Sequence, residues 1–150
     1  MSALLCRVNL PATALVANTA KTVIQLKAPT NQRLKILGYG FFFNGTTNAG
    51  QPVQLRAGRA TATFGTFTAA TPQPEEEGLT ETPQAAAGIN ASAEPTYTQI
   101  LQTETIHPQL SYVYQYDQGK ELTVKGGSSI NFEMTAAAGV NVSGWVKYEE

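Results

Sequence analysis

His107 and Asp117 are the only histidine and aspartate among the 150 residues, and Cys6 is the only cysteine. With a serine, the first two would be the partners of a Ser-His-Asp triad, but no Gly-x-Ser-x-Gly elbow stands in the chain to present a nucleophile. His107 directly precedes Pro108 between two strand-like runs and reads as a turn histidine with an exposed ring. One histidine cannot supply the several ligands of a jelly-roll metalloenzyme, and one aspartate leaves a calcium site short of oxygens. Glu75, Glu76 and Glu77 read as a solvated, proline-bounded run. Glu104, Glu121 and Glu133 are formal candidates for the two carboxyl groups of glycoside hydrolysis, which must face each other across a rigid cleft. Gly126-Gly127-Ser128-Ser129 lacks a lysine at phosphate-loop spacing and a helix after it, so it reads as a hairpin-like turn. No catalytic, cofactor-binding or metal-binding residue is assigned, and the expectation is a protein that is not an enzyme.

The elements around these residues read as strands. Leu4, Cys6, Val8 and Leu10 share one face, as do Ile24 and Leu26, and Val53, Leu55 and Ala57. The same period of two recurs at Leu122 and Val124, at Ile130, Phe132 and Met134, and at Val140, Val142, Val146 and Tyr148, with glycine breaks between. With segments near 33–43, 61–67, 97–106 and 110–116, this makes about nine short strands and no convincing helix. The expected fold is all-β, a single antiparallel jelly-roll domain spanning the chain. Pro72, Pro74, Pro83 and Pro95 punctuate residues 71–95, which read as a long acidic surface loop.

Bulk composition narrows the partners. The formal net charge is -1 and only 14% of residues are charged, so nothing points to nucleic acid. A surface of neutral polar side chains suits large desolvated contacts, because burying a charge costs more than burying a hydroxyl that finds a partner. Charge is segregated: from Arg59 to Lys120 there is no basic residue, while seven acidic ones lie between them. Cys6 alone cannot form an internal disulfide, so a reduced compartment is the default. The apolar start, Ala3 to Leu5, is too short for a signal core, and no run approaches a membrane span.

Two aromatic groups remain. Within residues 35–43, Ile36, Gly38, Gly40 and Phe42 would share one face and Leu37, Tyr39, Phe41 and Phe43 the other, making the strand apolar on both sides. A single sandwich buries one face of each sheet, so the second face would need a loop or another subunit. Leu110, Tyr112, Tyr114 and Tyr116 form a second stripe, and Trp145 projects among Asn141, Ser143 and Lys147 on the polar face of the last strand. Tyrosine and tryptophan are typical interface anchors.

The opening Cys6-Arg7-Val8-Asn9-Leu10, the runs Ala20 to Leu26 and Pro29-x-Asn31-Gln32-Arg33-Leu34-Lys35-Ile36, His107-Pro108-Gln109, and the ending Asn141-Val142-x3-Val146-Lys147-Tyr148-Glu149-Glu150 together resemble the capsid cement, or decoration, proteins of tailed bacteriophages. That likeness implies a jelly roll similar to that of tumour necrosis factor and a homotrimer, for which Tyr39, Phe41 and Phe43 of the doubly apolar strand are the expected contacts. It also implies a place on the virion exterior after synthesis in the host bacterial cytoplasm, with the major capsid protein as partner and no cofactor, nucleic acid or membrane. The alternative is a receptor- or carbohydrate-binding module of a phage fibre or tip, with Trp145 or the tyrosine stripe as stacking platform. A hydrolase using paired glutamates is a third reading.

Overall fold

Alternating apolar residues make strands, and long-range pairing decides which of their faces is inside. The computed structural model describes residues 3–46 and 52–150, and among them are twelve strands and no helix. In chain order they are β1 (Leu5–Leu15), β2 (Ala20–Lys27), β3 (Leu34–Phe43), β4 (Val53–Ala60), β5 (Thr66–Ala70), β6 (Gln73–Pro74), β7 (Ala86–Ala93), β8 (Gln99–Ile106), β9 (Ser111–Gln115), β10 (Leu122–Val124), β11 (Ser129–Ala136) and β12 (Val140–Glu149). Two antiparallel sheets of six strands result. One runs β10-β3-β12-β1-β6 with β9 also on β3, and the other runs β5-β7-β2-β11-β4-β8. Pairing is nested: β1 with β12, β2 with β11, β3 with β9 and β10, and β4 with β8.

The core lies between the sheets. Cys6, Val8 and Leu10 of β1, Ile130, Phe132 and Met134 of β11, and Val142, Val146 and Tyr148 of β12 are all buried there. These are the residues that the period of two places on one face.

The register of β3 corrects the two-faced reading of residues 35–43. Ile36 stands opposite Tyr148 but Gly38 opposite Lys147, so Leu37 is an extra residue, a β-bulge. A bulge reverses which side chains point inward. Leu34 and Ile36 enter the core before it and Tyr39 and Phe41 after it, all with no exposed surface. The outer face of this stretch is then Gly38, Gly40 and Phe42, of which only Phe42 is a large apolar side chain.

Residues 71–95 also differ from the expected loop. Gln73 and Pro74 pair with β1, and β7 pairs with β2 on one side and β5 on the other, leaving the connection 75–85 outside strands. Ala86, Ala87 and Gly88 have little intrinsic strand preference, and packing against neighbours overrides it. Small side chains are what the site needs: a Cβ on Gly88 would lie 2.5 Å from Phe67.

The whole segment between β4 and β8 is an insertion that covers one flank of the sandwich. It extends both sheets past β2 and β1, and its loops lie over the outer face of the second sheet. Phe64 accepts a hydrogen bond from Gln25 Nε2 (2.8 Å) and lies under Lys27 Nζ (4.1 Å to the ring centre). Tyr97 sits against Gly58, where a Cβ would be 2.5 Å from its ring. Ser129, Asn131 and Glu133 therefore point out of β11 and are still buried. Each has a partner, as buried polar groups must: Asn131 accepts from Gln25 (2.6 Å), Asn131 donates to Ser129 (3.1 Å), and Glu133 accepts from Arg56 (2.8 Å from Nε).

Candidate functional site

The residues with catalytic potential are held apart. His107 and Asp117 stand at opposite ends of β9. The His107 ring accepts a hydrogen bond from the Gln109 amide (3.2 Å), and Asp117 pairs with Lys120 (3.6 Å). The strands of Glu104 and Glu133, β8 and β11, both pair with β4, but Glu104 lies opposite Leu55 and points inward, whereas Glu133 lies opposite Arg56 and points outward. The sheet separates them. Glu121 accepts from the Gly119 amide (2.9 Å), which holds its carboxyl below the usual range. Among the described residues no group of three or more histidine, cysteine, aspartate or glutamate side chains converges to hold a metal ion. Glu75 pairs with Arg7 (2.7 Å) and Lys147 (3.5 Å), on the flank where a cavity of about 460 Å³ is lined by Leu4, Leu5 and Leu79 with Glu76 and Glu81.

Aromatic residues gather at the opposite flank. Tyr39 packs against Phe132 (4.8 Å between ring centres), Tyr114 (5.8 Å, stacked), Tyr112 (6.2 Å) and Tyr116 (6.5 Å). The three tyrosines of the β9 stripe thus close the mouth of the sandwich between β9 and β8. Gln102 of β8 donates across that mouth to the Tyr112 hydroxyl (3.3 Å) and along its own strand to Glu104 (3.1 Å). The Tyr39 hydroxyl, deeper in, is buried without a hydrogen-bond partner. Tyr39 and Phe41 belong to the chain's own core and offer no surface to a second copy, which corrects their placement as contact residues. Phe43 is partly buried at the end of β3, and Tyr114 remains exposed.

Trp145 points out of β12, as the alternation with Val142 and Val146 requires. Its ring lies on the Gly40 backbone, where a Cβ would come within 2.9 Å, and the Arg7 guanidinium lies over it at 4.9 Å from the centre. Both ring faces are occupied. A shallow cavity of about 210 Å³ lies beside it, lined by Leu37, Gly38, Gln115, Tyr116, Trp145 and Lys147. The tyrosines and the tryptophan are legible in the sequence as aromatic groups, whereas Gln102, Ile100 and Val113 beside the tyrosines are not, because their positions depend on the register of β8 on β4 and of β9 on β3.

Burial dominates the phenol chemistry at the mouth. Removal from water and the neighbouring tyrosines raise Tyr116 to about 12, and burial with the charge of Glu104 raises Tyr112. Burial raises Tyr39, Tyr97 and Tyr148 further still. The unfolded chain ionises its phenols near the ordinary value of about 10, while the folded chain holds these protonated. Stability from this source is complete below pH ~10 and is lost as pH rises toward and past 12. Denaturant titrations across that range should show the folding free energy falling steeply, with most tyrosinate absorbance released in the unfolding step. A gradual ionisation of all tyrosines near pH 10 without unfolding would contradict this packing.

Compared with protein-family models, with curated proteins and with solved structures, the chain has no match.

Proposed function

We propose that this is a structural virion protein, a capsid cement or decoration protein that binds the outer surface of a phage head as a homotrimer and stabilises capsomer junctions. The nested strand order supports reading the sandwich as a jelly roll, the architecture implied by the sequence likeness. One observation carries the assembly part of the proposal. The insertion covers one flank of the sandwich, while the β8 and β9 flank keeps tyrosines and exposed apolar side chains. A body of this kind gains avidity when several copies engage a lattice at once, so weak single contacts suffice. Glu76, Glu77 and Glu81 on the 75–85 connection would be repelled by packaged DNA, which suits an outward location.

The carbohydrate-binding alternative loses its best platform. A sugar ring stacking on Trp145 would have to displace Arg7 from one face or the strand backbone from the other. The test is co-sedimentation with assembled tailed-phage heads. Saturation at a fixed ratio, with heads that survive to a higher temperature, is the expected result. Binding on a glycan array without binding to heads would replace this function with the receptor-binding one.

A further inference from the structure

We infer that the lateral edge formed by β8 and β9 is the surface on which copies of this chain meet. The inference rests on the self-association in the reading above, though not on the capsid. Of the eight exposed large apolar residues among the described ones, five lie along this edge or its rims: Phe42, Ile100, Leu110, Val113 and Tyr114. Val113 stands opposite Gly40 on the outer rim of the first sheet, and Ile100 opposite Gly58 on the outer rim of the second. Leu110, in the turn between the strands, is 61% exposed and Val113 51%.

The edge is built against one kind of contact and open to another. β8 carries a bulge at Leu101 and turns its one charge, Glu104, inward, two devices that discourage open-ended strand addition. Neither covers the apolar side chains. Packing by side chains, closed after a few copies, is what remains.

Charge and size point to a second copy. Apart from the inward Glu104 and from His107, residues 99–116 carry no acidic or basic side chain, and Arg59 beside them is held by Gln99 and the Thr123 carbonyl, so the edge carries little charge to repel its own kind or to select a charged partner. The eight residues of β8 span about 27 Å, and sheets pack about 10 Å apart. With side chains on both rims the face covers roughly 500 Å² in projection and more in accessible surface, the scale of the ~800 Å² that each partner gives to a specific interface.

Light scattering on the full chain and on Val113→Lys and Ile100→Lys tests this, with Leu79→Lys on the opposite flank as control. The expected result is a multimer at micromolar concentration for the wild type and Leu79→Lys, and a single-chain mass for the edge variants. Edge variants that keep the wild-type mass would overturn the edge assignment while leaving self-association standing. A wild-type monomer would overturn both, and head binding by that monomer would still leave the capsid reading intact. Should the variants misfold, hydrogen exchange of the wild type at low and high concentration decides. Concentration-dependent protection confined to 99–116 supports the edge, and protection elsewhere overturns it.

Discussion

Phe132→Ala should destabilise the fold by about 3–5 kcal/mol, the range for deleting a fully buried aromatic ring. Phe132 sits in the middle of β11, between Ile24 of β2 and Ala57 of β4, and has no exposed surface. Its ring reaches across the sandwich to Tyr39 (4.8 Å) and Phe41 (5.7 Å), so it is the contact through which the second sheet supports the aromatic floor of the first. Neighbours held in paired strands collapse only partly into the space, and the remaining cavity adds to the lost transfer energy. Domains are stable by about 5–15 kcal/mol, so this loss is a large share of the total. Chemical denaturation would measure it as a lower midpoint at unchanged slope. A loss under about 1 kcal/mol would mean that the ring does not bridge the sheets. Because Tyr39 rests on Phe132, the same variant should loosen the tyrosine mouth and bring phenol ionisation toward ordinary values.

Arg56→Met should cost about 2–3 kcal/mol, and much more than Glu133→Gln, at about 1 kcal/mol. The Glu133 side chain is 6% exposed and receives Arg56 through both Nε and Nη2. Without Arg56 it is a buried carboxylate with no cation. The Arg56 side chain is 35% exposed, so solvent screens the pair and the expected loss falls below the full 3–5 kcal/mol of a wholly buried one. In the reverse variant, Arg56 can still reach water, and its guanidinium keeps its place near the Tyr97 ring (5.9 Å). A double variant, Arg56→Met with Glu133→Leu, should recover stability relative to Arg56→Met alone, because no unpaired charge is left. Equal costs for the two single variants would show that Glu133 is not shielded by the insertion.

The strands that read best are those with one wet and one dry face. β12 is the clearest, because Val142, Val146 and Tyr148 alternate with half-buried Ser143, Trp145 and Lys147. β11 reads as a strand from Ile130, Phe132 and Met134, yet nothing in Ser129, Asn131 and Glu133 announces that they too are buried. Their burial comes from Phe64 and Tyr97, carried in by a segment more than thirty residues away in the chain. β7 was unreadable for a related reason: an Ala-Ala-Gly run has weak local preference, and its strand exists because β2 and β5 hydrogen-bond to it on both sides. In β3 a residue as apolar as its neighbours, Leu37, became the bulge, and hydrophobic pattern does not mark which member of an all-apolar run is extra.

The candidate site divides along the same line. Residue types alone separated the aromatic anchors from a chain poor in catalytic groups, since the supply of histidine, aspartate and cysteine is a matter of counting. The period of two alone placed Trp145 outward. Only the tertiary structure decided that Tyr39 and Phe41 are core, that Trp145 is clamped between Gly40 and Arg7, and that one flank is covered while the other is bare. Periodicity is a local property of the backbone, whereas exposure depends on which distant strand arrives beside each residue, and here those partners are separated by as much as the length of the chain.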